Sequence, residues 1–132
     1  MKGRYVVPLS KADTGVLYGQ AGTYRILIDQ KTVGAKNYSM LVNTINAGVR
    51  GRAHKHDVNE HCWYILSGTG TVFIEGEAHR VGPQTAVYVP ADTMHSVDAD
   101  EGEDLTYVVI YAPGGPEQKL RTLGAKAFDQ VA

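Results

Sequence analysis

Gly48-Val49-Arg50-Gly51-Arg52-Ala53-His54-Lys55-His56-Asp57-Val58-Asn59-Glu60-His61-Cys62-Trp63-Tyr64-Ile65-Leu66-Ser67-Gly68 carries most of what this sequence says. His54 and His56 are two residues apart, so in extended backbone both imidazoles project from one face. Two rings on one face can grip one ion; a pair of solvated loop histidines is the plainer alternative for this spacing alone. From His61 to Leu66 the residues are aromatic, aliphatic and β-branched, as in a strand. Strand parity puts His61, Trp63 and Ile65 on one face and Glu60, Cys62 and Tyr64 on the other.

Working outward, the chain reads as strand and turn almost throughout. Residues 24–28 and 39–45 precede the quoted stretch as strands, and 71–75, 78–81, 85–89 and 105–111 follow it. Ser67-Gly68-Thr69-Gly70 reads as the loop of a hairpin joining 61–66 to 71–75, and Gly76-Glu77 as a second tight turn. Pro83, Pro90 and Pro113 stand at strand borders, where a missing amide donor does least harm. A strand over 4–9 could pair with a second subunit and cover a sheet edge. Residues 117–123 could form a short helix. Short strands with regular turn signals predict an all-β sandwich, jelly roll or barrel.

Composition narrows the function. With 132 residues, 43% hydrophobic, the chain has the size and apolar content of one domain with a real core. Thirteen Lys and Arg against fourteen Asp and Glu leave no excess of positive charge for nucleic acid or an anionic membrane. No run approaches the ~20 apolar residues of a membrane span or the core of a signal peptide. Cys62 is the only cysteine, which excludes an intrachain disulfide and fits a cytoplasmic protein. It reads as a buried, inert thiol.

The quoted stretch resembles the first motif of the cupin superfamily: a glycine, five residues, His-x-His, a few residues, a glutamate, six residues, a glycine. Gly48, His54, His56 and Gly68 fall in place. Pro90, Asp92 and His95 follow the second motif, with Asp92 where the family has glycine and Ala99 where it often has asparagine. Counting back from Gly68 puts His61 in the carboxylate position. The nearest carboxylate, Glu60, is one residue earlier and on the opposite strand face. His61 is therefore favoured over Glu60 as a ligand. The chain then looks like those cupins that use four histidines.

The resemblance implies a double-stranded β-helix, or jelly-roll barrel, over a single domain spanning 1–132. Its conserved core covers about 24–113, with 1–23 as an N-terminal strand or arm and 114–132 as a C-terminal extension. It implies one divalent transition metal ion (Mn, Fe, Ni, Zn or Cu) on His54, His56, His61 and His95. Trp63 would line the pocket, and Arg50 and Arg52 could meet an anionic substrate. Glu60 is a weak candidate for a general base, and His79 reads as a surface residue.

The function implied is that of a metal-dependent enzyme on a small, oxygen-rich chelating substrate, an oxygenase (dioxygenase type) by preponderance within the family. Redox-neutral Lewis-acid chemistry (cyclase, isomerase or lyase) is the alternative, and a non-catalytic ligand-binding module is a third reading. A homodimer is expected.

Overall fold

The computed structural model describes residues 5–123. In chain order the strands are β1 (Asp13–Val16), β2 (Gly22–Ile28), β3 (Ser39–Ile45), β4 (Glu60–Ser67), β5 (Gly70–Ile74), β6 (Glu77–Val81), β7 (Ala86–Val89), β8 (His95–Ala99) and β9 (Leu105–Ala112). Two short helices complete the order, α1 (Gln30–Val33) and α2 (Glu117–Leu123). No helix among the described residues is long and apolar enough to cross a membrane.

The strands form two antiparallel sheets, ordered β1-β2-β3-β9-β4-β7 and β6-β5-β8. From β4 onward the chain passes back and forth between them: β5 and β6 lie in the small sheet, β7 in the large, β8 in the small, β9 in the large. This winding is the jelly roll, the all-β fold expected from the sequence. Period-two patterning drives it. On β4 His61, Trp63 and Ile65 are buried, while Glu60, Cys62, Tyr64 and Leu66 are exposed. On β9 Leu105, Tyr107, Val109 and Tyr111 turn inward. One apolar core joins residues from both sheets, among them Ile26, Leu41, Trp63 and Val109 from the large one and Val72 and Val81 from the small one. Burial of such side chains, at roughly 25 cal/mol per Å² of apolar surface, is what holds the sheets face to face.

The hairpin expected between β4 and β5 does not form. β4 pairs with β7 and β9, and β5 pairs with β6 and β8. Gly68 is the crossing point: its φ is 86°, and a Cβ there would lie 2.2 Å from the Asp104 carbonyl oxygen. A glycine loop therefore looks the same in sequence whether it closes a hairpin or passes between sheets. The β5–β6 turn is a true hairpin, centred on Glu75 and Gly76 (φ 50° and 79°), one residue earlier than Gly76-Glu77.

Nor does the strand expected over 4–9 form. Residue 4 lies outside the described residues, Tyr5–Pro8 is irregular, and a 3-10 turn spans Leu9–Lys11, entered through Pro8. A proline has no amide to give a ladder, which argues against pairing there. The N-terminal strand is instead β1, which pairs with β2 and is too polar and glycine-bearing to read from its sequence.

Candidate metal centre

Four of the five histidines come together at one end of the space between the sheets. The backbones of His54 and His95 pair as an isolated bridge: the His54 amide donates to the His95 carbonyl (3.0 Å), and the His95 amide donates back (2.9 Å). No strand forms over 54–56, where the bridge at His54 is the only regular pairing. The Asp92 amide then donates to the His56 carbonyl (2.8 Å). Asp92 itself sits at φ 57°, in the left-handed region, which Asp tolerates better than most residues with a side chain. Its carboxylate meets Lys55 Nζ at 3.0 Å. Asp92 thus adopts the backbone that glycine usually supplies and adds a surface ion pair.

Ring nitrogens of His54, His56 and His95 all lie within 4.8 Å of one another. His61, from the inner face of β4, adds a fourth ring, its centroid 4.5 Å from that of His56 and 4.7 Å from that of His95. His61 is buried and Glu60 is exposed, as parity requires for neighbours on a strand. His95 Nδ1 lies 2.8 Å from the Thr93 carbonyl and His54 Nδ1 lies 3.1 Å from the Arg52 carbonyl. A ring that donates through Nδ1 keeps its Nε2 lone pair available, the usual way a metal-binding imidazole is oriented.

On three of the four rings, ring nitrogens have no protein partner among the described residues. His56 Nε2, both nitrogens of His61 and His95 Nε2 are buried without a hydrogen bond among the described residues. Buried polar atoms are rarely left so, and one unpaired nitrogen from each of three adjacent rings fits a cation. Charge points the same way. Burial, reinforced by the neighbouring rings, pushes His56 down to about 3 and His61 to about 2. Burial brings His95 down to about 4 against the Thr93 hydrogen bond, and His54 is also lowered by burial. All four rings are neutral at physiological pH, the form that binds a metal. The residues present therefore fit a divalent ion.

A cavity of about 280 Å³ opens beside the rings, its wall including His54, His61, His95, Trp63, Tyr107 and Tyr111. Arg50 and Arg52 also line it, on exposed loop backbone. So does Asn43 of β3. No Asp or Glu among the described residues lines this cavity. Glu60, proposed from sequence as a general base, is not in it, because it projects from the outer face of β4. Cys62 shares that outer face and is exposed rather than buried. His79 is exposed and meets Glu77 at 2.9 Å.

Sequence reading missed Asn43, Tyr107 and Tyr111. The available signal was parity: Asn43 falls between Leu41 and Ile45 on what must be an inward face, an unusual place for an amide. The tyrosines carried no such signal, since β9 is apolar on both faces.

The sequence profile of the cupin domain matches residues 41–111. Among characterised proteins, the chain is 32% identical over 71 residues to quercetin 2,3-dioxygenase of Bacillus subtilis (strain 168), covering 54% of this chain and 21% of that protein. It is 31% identical over 103 residues to the dimethylsulfoniopropionate lyase DddW of Ruegeria pomeroyi, covering 76% of this chain and 65% of that one. The matches thus span less than two thirds of either relative. Among solved structures, KdgF from Halomonas sp. superposes with a TM-score of 0.75 at 20% identity, over 87% of this chain and 98% of that one. That likeness concerns the fold.

Proposed function

This chain belongs to the cupin domain family, and from that premise we propose that it is a metal-dependent enzyme of redox-neutral chemistry on a small oxygen-bearing substrate. Elimination, cyclisation or isomerisation would each fit. The observation that carries the reading is the donor set: four clustered imidazoles, of which His56, His61 and His95 hold buried, unpaired nitrogens, with no carboxylate, opening on an aromatic cavity.

His54, His56, His61 and His95 would hold the ion. When bound, a divalent ion there supplies Lewis acidity, polarising a carbonyl or carboxyl oxygen of the substrate. Imidazoles of no charge leave that acidity undiminished, where a carboxylate ligand would reduce it. The rest falls to the chain itself. Trp63, Tyr107 and Tyr111 form a largely apolar wall that keeps water from the reacting face and suits a flat substrate. Burial pushes both tyrosine hydroxyls well above the usual phenol range, so they stay protonated and can donate hydrogen bonds to developing negative charge. Arg50 and Arg52 on the cavity lining favour a substrate that carries negative charge.

The likeness to the lyase DddW, which extends over more of this chain than the dioxygenase match, supports the redox-neutral reading. The match to quercetin 2,3-dioxygenase supports a second reading, oxygen-dependent cleavage of the substrate. Protein loaded separately with Fe, Mn, Ni or Zn would be assayed on hydroxy acids, diketones, catechols and dimethylsulfoniopropionate, in air and under argon. Equal product under argon is the expected result. Turnover that needs oxygen would establish the second reading, and binding without turnover under every metal would make the chain a ligand-binding module.

A further inference from the structure

We propose that Asn43 and Tyr107 together recognise a hydroxyl group on the ligand that enters the cavity. The inference rests on reading this cavity as the substrate site. Asn43 is 4% exposed, on the inner face of β3 between Leu41 and Ile45, and it lines the cavity. Tyr107 is its partner in register on β9 and lines the same cavity. The Asn43 Oδ1 has no partner among the described residues.

A buried acceptor without a donor is destabilising, and leucine, of similar size, would avoid it. The position therefore makes sense if something supplies the donor. Burial holds the Tyr107 phenol beside it well above the usual phenol range, so it keeps its proton and its O–H can donate into the cavity. The pair then offers one acceptor, Oδ1, and one donor, the phenol. A hydroxyl group satisfies both at once, because its oxygen accepts while its hydrogen donates. A methyl group in that place would leave the acceptor unpaired, which is how polar pockets reject the analogue lacking a hydroxyl.

Titration calorimetry on the zinc-loaded full chain would compare 2-naphthol with 2-methylnaphthalene, in which a methyl group replaces the hydroxyl. The naphthol should bind at least about tenfold more tightly. Asn43→Leu and Tyr107→Phe should each reduce that ratio by about threefold or more, and Asn43→Leu should melt no lower than the wild type. Equal binding of the two probes, binding of neither, or an unchanged ratio in Asn43→Leu would overturn the proposal. So would a marked loss of melting temperature in Asn43→Leu, which would make the amide a packing element. Zinc content measured on the same samples separates this outcome from failure of the metal reading: a chain that takes up no zinc still reports the probe ratio.

Discussion

His54 and His95 exchange two backbone hydrogen bonds, 3.0 and 2.9 Å long, while their imidazole centroids stand 4.4 Å apart. The bridge belongs to the protein's own backbone, so two of the candidate ligands are fixed relative to each other by the fold. Asp92, bonded through its amide to the His56 carbonyl, does the same for a third. A site built this way is organised before any ion arrives.

That organisation bears first on which residue of β4 is the ligand. His61→Ala should weaken metal retention by about a hundredfold or more, since losing even a group that only orients a ligand costs 10–100-fold. Glu60→Ala should leave retention unchanged, because that side chain is on the other face of the strand. Competition against a chromogenic chelator measures both.

Acid should destabilise the metal-free protein earlier than carboxylate titration would explain. His56, His61 and His95 lie at about 3, 2 and 4 in the folded chain, against an unfolded value near ~6.5. Between those limits the unfolded chain binds more protons than the folded one, so stability rises with pH and is lost as pH falls below about 6.5. The melting temperature should drop by about 10 °C or more from pH 7 to pH 5. A bound ion should raise the whole curve with little change of slope over this range, because the folded rings are already unprotonated there. Thermal denaturation with and without zinc, across pH, checks the sign.

Asp92 offers a test of backbone geometry without removing any ligand. Asp92→Gly relieves the left-handed φ of 57° and loses only an exposed ion pair with Lys55, so stability should stay within about 0.5 kcal/mol. Asp92→Val should lose about 1–2 kcal/mol or more, since a β-branched residue resists that conformation. Urea unfolding of both variants distinguishes them.

The helix α2 is tied to the large sheet through charge. The Arg121 guanidinium pairs with the fully buried Asp29 carboxylate and reaches Asp13 at 2.6 Å. Burial pushes Asp29 upward, but the hydrogen bonds from Arg121 and from the Thr32 amide outweigh it and hold the carboxyl below its usual range. Arg121→Ala leaves that charge without its cation and should cost about 3 kcal/mol of stability. Chemical denaturation at pH 7 measures it, and Asp29→Asn combined with Arg121→Ala should recover part of the loss.

How much of this was legible depends on whether the deciding contact is local. The His54-x-His56 spacing, the inward parity of His61 and Trp63 and the glycine frame are all written within one short stretch. The parting of β4 from β5 is not, because Gly68 is shaped by its approach to Asp104, far along the chain. β8, with His95, Ser96 and Asp98, lacks the apolar alternation of a strand and pairs through β5 instead. Asn43 could have been suspected from parity. Its pairing in register with Tyr107 could not, because β9 joins β3 only in the folded sheet.

X-ray absorption fine structure on the metal-loaded, untagged protein tests the centre most directly. One ion per chain is expected, with about four imidazole nitrogens near 2.0–2.1 Å for zinc, and with one such shell member lost in His61→Ala. A protein that takes up no transition ion, or a spectrum fitted by fewer imidazoles with a protein carboxylate or thiolate in the shell, would contradict it.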